Sequence, residues 1–345
     1  MQKSDHIPRM KRRMLILTAA LAPVLAAPRI ARAGLSPILA QADRLDPLRN
    51  VAIWRDDDEG GHEVAAQGYH GFTPDQPTNI KSASKSIISA LAGIAIGKGL
   101  LEGPDQRIAP LLRSDLPADP DPRLAQVTIG HLLSMQAGLE RQSGPNYGRW
   151  VSSGNWVRTA LAAPFTEDPG SRMQYSTAST HLVAAILTRV TGRPLLNVAR
   201  DWLGQIPGFR ITGWDRDPQG IYLGGNQMAM STRSLLAFGA CCARQGQAAG
   251  RQVIPASWLE DSWQRRTRSV FTGQGYGYGW FLTRVGGRPA RCAWGYGGQM
   301  LYVLPETLTR PAMAIAMTSD PDQPSANNGY RISLDRLADS MVRAI

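Results

Sequence analysis

The sequence is short of several things that would have settled its class. It has three cysteines in 345 residues. Cys241 and Cys242 are adjacent and Cys292 is distant, so no C-x-x-C metal spacing exists. No H-E-x-x-H cluster is present, which removes the commonest zinc-hydrolase signature. No G-x-S-x-G elbow is present, which argues against an α/β-hydrolase. The glycines of "GQGYGYGW" do not open a helix, so no dinucleotide site is expected there. No metal or cofactor is called for. Repeats and low-complexity runs are absent, and no apolar stretch is long enough to span a bilayer.

The charge excess is also smaller than it looks. The chain carries 38 Lys and Arg against 27 Asp and Glu, a formal +11. Residues 1–33 hold a disproportionate share of it. A basic segment with Arg12-Arg13 leads into a short apolar run, Met14 to Ala27, and "ARA" (Ala31 to Ala33) supplies a small-x-small cleavage pattern. This reads as an export signal of the twin-arginine type, removed to leave a periplasmic or secreted protein without a stable membrane anchor. The remainder has 31 basic and 26 acidic residues, a net of +5. Its arginines form no stripe and do not alternate with aromatics, so no nucleic-acid partner is expected.

What is present is ordinary globular material, 43% hydrophobic and 19% charged. Residues 51–69 read as a β-hairpin around an acidic Gly-Gly turn. The middle reads as helices: Thr128 to Leu139 with an N-cap threonine, Ser179 to Gly192, and Asn197 to Gly204. After Gly224 come two capped helices, "STRSLLAFGACCARQG" and "PASWLEDSWQRR". Four strand-like runs follow, "GYGYGWFLTRV", "ARCAWGY", "QMLYVLPE" and "PAMAIAMTSD", and a last helix closes the chain. Strands from both ends are expected to pair in one antiparallel sheet covered by the terminal helices. The expected division is an α/β lobe over 34–81 and 225–345 and a helical lobe over 82–224, with a cleft between them. Cys241 and Cys242 read as small core residues, and a disulfide from either to Cys292 is left open.

The most informative stretch is "NIKSASKSIISALAGIAIGKG". Ser82 and Lys85 are three apart, so on a helix they share a face. The residues behind them are apolar almost all round, as in a buried helix, and Gly93 and Gly97 leave room for neighbouring elements. Burial and the positive helix end both lower a lysine pKa, and a neutral lysine beside a hydroxyl activates a nucleophile without histidine. Ser84, Ser86 and Lys81 are close by, but only Ser82 has a lysine at this spacing. Tyr175, after a Pro-Gly turn and before a helix, offers a phenol able to relay a proton. Tyr296-Gly297-Gly298-Gln299 runs into a strand, with glycines that let backbone approach a ligand. His131 and His181 lie on apolar helical runs and read as structural. Tyr147 and Trp150, with Trp156, fall in loops where they could line a cleft or fill a core.

The ordered set S-x-x-K, "TIGHLLSMQAGL", "PGSRMQYS", "STRSLLAFG", "YGYGWF" and "GYGGQMLYVLP" resembles the serine β-lactamase and penicillin-binding-protein superfamily. It resembles in particular the branch of class C enzymes, D-Ala-D-Ala carboxypeptidases, esterases and aminohexanoate-dimer hydrolases. The resemblance spans Asn50 to Asp320. It implies a β-lactamase/transpeptidase-like α/β (α+β) fold, an antiparallel sheet flanked by helices plus a mostly helical lobe. It implies Ser82 as acylated nucleophile, Lys85 as its base, Tyr175 as proton shuttle, and the N–H groups of Ser82 and Gln299 as oxyanion hole. Substrate contacts would come from Thr177, Tyr296, Gly297, Gly298, Tyr147 and Trp150. Two departures matter. Thr177 stands where class C enzymes carry Asn, and Tyr296-Gly297-Gly298 stands where they carry Lys-Thr-Gly. The cation that attracts a substrate carboxylate is missing, which favours small-molecule esters or amides of low negative charge. A D-Ala peptidase or β-lactamase, and a non-catalytic binding module, remain as alternatives.

Overall fold

The computed structural model describes residues 27–57, 60–323, 326 and 329–345. The expected export segment lies outside the described residues as far as residue 26. The helix Ala27–Ala42 begins directly after it and runs on through positions 31–33.

One eight-stranded antiparallel sheet organises the chain. From one edge to the other its strands are His62–Gly68, Leu48–Arg55, Met313–Ser319, Gln299–Leu304, Arg288–Gly295, Phe281–Val285, Gly275–Tyr276 and Thr267–Arg268. The expected pairing of the two chain ends is realised, with Ile53 opposite Ile315 and Ala52 opposite Ala316. The expected hairpin after Asn50 is also present, with Ala52 opposite Ala66.

Alternation along these strands feeds two cores. Ile53, Met300, Tyr302, Ile315 and Met317 face one way, into a core shared with Leu35 and Leu334 of the first and last helices. Ala52, Leu301, Val303, Ala314 and Ala316 face the other way, into the larger core that holds the central helices. The central strands are buried on both faces, so they read as unbroken apolar runs rather than alternating ones. Small residues decide what covers the second face. A side chain on Gly239 would strike Leu301 and Ala314, so the helix Thr232–Ala243 lies close on the sheet only because it has none.

The sheet also settles the cysteines. Cys241 and Cys242 belong to one core and Cys292 to the other, and all three are buried and free. The disulfide left open by the sequence is not formed.

Two elements are shorter than expected. The helix predicted over Thr128 to Leu139 covers only Ile129–Leu133. Thr128 does cap it, reciprocally with His131, but Met135 turns left-handed at φ 63° and ends it. The Met135 carbonyl is then free to accept from Gln174 N at 2.7 Å, an exchange of local helix for a long-range bond. The run "GYGYGWFLTRV" is likewise cut into Gly275–Tyr276 and Phe281–Val285 by a turn in which Gly279 has φ 81°.

Candidate active site

Ser82 does not sit on the buried helix itself. It lies in a single 3-10 turn, Lys81–Ala83, which leads into the helix Ser84–Gly97. The chain enters this turn from a short strand, Pro77–Asn79, paired with Met228–Ser231. The Ile80 N–H donates to the Met228 carbonyl at 2.9 Å. Lys81 is then forced to φ 50°, a left-handed conformation that costs a non-glycine residue of order 1 kcal/mol. Asn79 holds it there by accepting from Lys81 N at 2.9 Å, and Gln227 Oε1 in turn accepts from Asn79 at 2.6 Å. Strain thus sits immediately before the serine, in a turn braced from two sides.

The helix behind the turn is buried from Ser84 to Ala95. Its glycines do what the sequence suggested, since side chains on Gly93 and Gly97 would strike Trp258 and Pro255. Ser86 donates to the Gly279 carbonyl at 2.6 Å, so the turn that broke the expected strand locks the helix in place.

Lys85 is 1% exposed. Its Nζ donates to Ser82 Oγ at 3.2 Å, to Thr177 Oγ1 at 3.3 Å and to the Gly225 carbonyl at 2.6 Å. No carboxylate is paired with it in the structure's described ion pairs. Burial pulls its pKa down from 10.5 to about 7. The Tyr175 ring lies with its centroid 5.3 Å from Lys85 Nζ. The Tyr175 phenol bonds to Ser82, which favours its ionised form, but burial outweighs this and pushes it up to about 12. At neutral pH the cluster therefore holds a phenol as donor and a lysine divided between base and acid.

The loop that carries Tyr175 is fixed from beneath. Gln136 donates to the Gly170 and Ser171 carbonyls at 2.7 and 2.5 Å. Thr177 opens the helix Thr177–Thr191, and its N–H and hydroxyl both meet Ser143 Oγ, at 2.8 and 3.0 Å. Ser82, Lys85, Tyr175 and Thr177 are thus brought together from a turn, a helix, a loop and a second helix start.

The remaining expected residues are placed differently. Trp150 is fully enclosed, donates its indole N–H to the Trp156 carbonyl at 2.9 Å and touches His181 edge-on. It fills a core rather than lining a cleft. Tyr147 is partly buried, and its hydroxyl accepts from Asn226 at 3.0 Å. Gln299 is fully buried, and its side chain bridges the Ser319 carbonyl at 2.7 Å and the Ser319 N–H at 3.3 Å. Tyr296 is exposed at the hairpin tip. Side chains on Gly297 and Gly298 would strike Pro321 and Tyr330, and both have positive φ. The tight turn is reason enough for these two glycines.

Three contributors were not legible. Gly295 is where the sheet meets the serine turn, since a side chain there would strike the Ile80 carbonyl and approach Lys81 Cβ to 3.1 Å. Gly225, at φ 85°, offers its carbonyl to Lys85 and has no room for a side chain beside Thr180 and Lys85. Ser143 sits in a Pro-Gly loop with no motif of its own. His181, expected to be structural, bonds Asp217 at 3.1 Å and accepts from the Gly224 N–H at 3.3 Å. It steadies the backbone that presents Gly225.

A sheet flanked by helices, with a serine, a buried lysine and a tyrosine meeting at its side, is the layout of the β-lactamase-like fold class. The chain belongs to the beta-lactamase family, whose family model matches residues 50–338. It is similar to the probable fimbrial assembly protein FimD, serogroup H1, of Dichelobacter nodosus, 30% identical over 174 residues, 48% of this chain and 43% of the relative. It is also similar to the 6-aminohexanoate-dimer hydrolase of Paenarthrobacter ureafaciens, 24% identical over 235 residues, 63% of this chain and 58% of the relative. The chain thus spans about half the length of the curated relatives it matches. Among solved structures its fold is similar to that of EstCE1, a hydrolase with promiscuous acyltransferase activity. The TM-score is 0.70 at 18% identity, over 91% of this chain and 99% of that one.

Proposed function

We propose that this protein hydrolyses small esters or amides through an acyl-enzyme on Ser82, in a cleft between the α/β lobe (34–81 and 225–345) and the helical lobe (82–224). The observation that carries the reading is Lys85. Among the described residues it has no carboxylate partner, and it is buried, lowered to about 7, and 3.2 Å from Ser82 Oγ. A structural lysine is expected to pair or to reach water. One kept partly neutral beside a hydroxyl is suited to take its proton.

In this mechanism Ser82 Oγ attacks the carbonyl carbon while its proton passes to Lys85 Nζ. The carbonyl oxygen becomes an oxyanion held by backbone N–H donors. Ser82 N–H is one of them. The second comes from the hairpin that reaches the serine turn. The sequence suggested Gln299, but Gly295 is the residue against Lys81, which favours the adjoining N–H of Tyr296. Tyr175 gives its proton to the leaving oxygen or nitrogen as the carbon–leaving-group bond breaks, and is reprotonated from Lys85. Water then attacks the acyl carbon and loses its proton to the same pair, which returns it to Ser82 Oγ as the acyl–oxygen bond breaks. The exposed tyrosine at 296 leaves no cation at the position expected for carboxylate recognition, which supports uncharged substrates over penicillins or D-Ala peptides. We further propose that residues 1–33 direct export through the twin-arginine route.

The test is hydrolysis of short-chain p-nitrophenyl esters by the protein and by Ser82→Ala, with intact mass recorded in the steady state. Activity and a transient acyl mass in the first alone support the reading. Equal rates in both would refute it.

A further inference from the structure

Phe271 is 51% exposed and Val270 57%, in the six-residue link, 269–274, between the strands Thr267–Arg268 and Gly275–Tyr276. An exposed aromatic is unremarkable alone. This one is held in place. The Ser269 N–H donates to the Gln274 carbonyl at 2.8 Å, and the Gly273 N–H to the Ser269 carbonyl at 2.9 Å. Gln274 donates to Thr283 Oγ1 at 2.9 Å and accepts from Arg331 at 2.8 Å. The anchored loop sets the Phe271 ring edge-on to Tyr175, 5.4 Å between centroids at 76°. The same ring meets Trp294 at 6.2 Å and 89°. Trp294 precedes Gly295, the glycine that touches the serine turn. Arg331 could have offered charge here, but it stacks over Trp294 at 4.5 Å and is tied to Gln274.

We propose that Phe271, with Val270 and Trp294, forms the wall against which the leaving group of the substrate lies, and that the preferred substrates carry a bulky apolar leaving group. The inference rests on the acyl-enzyme reading above. Tyr175 stands beside the departing atom in that reading, so a ring fixed on the Tyr175 face lies on the leaving-group side. The three wall side chains offer aromatic and aliphatic surface and carry no charge of their own. An aromatic or branched alkyl alcohol or amine would bury apolar area there during acylation. It would be gone before deacylation begins.

That timing gives the test. Methyl acetate and 2-naphthyl acetate form the same acetyl-enzyme. Phe271→Ala is expected to lower kcat/KM for 2-naphthyl acetate about tenfold, the usual worth of one lost apolar contact set. It should change methyl acetate by less than about twofold. Deacylation of the acetyl-enzyme, followed by intact mass, should keep the wild-type rate, and Phe271→Leu should recover part of the loss. Equal losses on both esters, slowed deacylation, or no loss on 2-naphthyl acetate would overturn the proposal. The underlying reading fails separately, if the wild-type protein gains no acetyl mass and no fluorophosphonate adduct, and the proposal falls with it.

Discussion

Lys85 makes its shortest hydrogen bond to the Gly225 carbonyl, at 2.6 Å, rather than to Ser82 at 3.2 Å. The lysine is aimed by a backbone oxygen, and that oxygen is available because residue 225 can adopt φ 85°. Gly225 is thus part of the geometry that points an amine at the serine.

Gly225→Ala should therefore cost both stability and activity. The new methyl group would strike Thr180 Oγ1 and approach Lys85 Cγ and Nζ to 2.7 and 2.9 Å. Overpacking and the left-handed backbone together should cost about 2–4 kcal/mol. Gly220 is the control, since it has φ 83° but open space around it. Gly220→Ala should cost about 1 kcal/mol and leave acylation intact. Denaturant titration and fluorophosphonate labelling rates decide it, and equal effects of the two changes would contradict the assignment.

The pH dependence follows from Lys85. In the proposed mechanism acylation needs its neutral form, so labelling of Ser82 should rise with pH and level off above about 7. Stability should follow the same residue. Folding lowers the Lys85 pKa from 10.5 to about 7, so between these values the unfolded chain binds the extra proton. Stability should then rise with pH across that window, by at most about 1.4 kcal/mol per unit. Below the folded pKa the full penalty of a buried charge remains. Lys85→Met should lack this slope, as read from the difference between the two proteins in chemical denaturation. Parallel curves would mean that Lys85 titrates normally.

Gly295→Ala tests the approach of sheet to serine. Its methyl would meet the Ile80 carbonyl and crowd Gln299 Cβ at 2.9 Å. Displacing the serine turn by a fraction of an ångström to one ångström should lower kcat/KM about 100-fold. The loss should exceed what the change in Tm accounts for. A full-activity variant would remove Gly295 from the site's construction.

The residues of the candidate site were easier to pick out from the sequence than its shape. Only Lys81, Lys85 and Lys98 follow residue 33, and the S-x-x-K spacing singles out Lys85 among them. Strand runs and the capped helices Thr177–Thr191 and Thr232–Ala243 were legible because their periodicity and end residues agree. The serine's own turn was not, because a left-handed Lys81 is held by Asn79, which is itself braced by Gln227 and the strand Met228–Ser231 from far along the chain. Trp150 was ambiguous for a related reason. A tryptophan in a polar segment reads the same whether it faces a cleft or, as here, packs edge-on and tilted against His181 and Trp156 inside a core.

His181 gives a stability test of the packing behind the site. It is fully buried with Asp217, whose other oxygen accepts from Gln219 and Ile221 N–H at 2.9 and 2.8 Å. His181→Leu should cost about 3 kcal/mol by stripping one partner from a buried carboxylate. Asp217→Asn should cost less, because an amide keeps an acceptor and loses the charge. Urea denaturation compares them, and a smaller loss for His181→Leu would contradict the pairing.

The most direct measurement is the intact mass of the protein during turnover of p-nitrophenyl acetate, beside Ser82→Ala. An acetyl group that appears and decays on the first protein, maps to Ser82 and is absent from the second is the expected result. Hydrolysis that persists in Ser82→Ala, or an adduct on another residue, would contradict the assignment of Ser82 as the nucleophile.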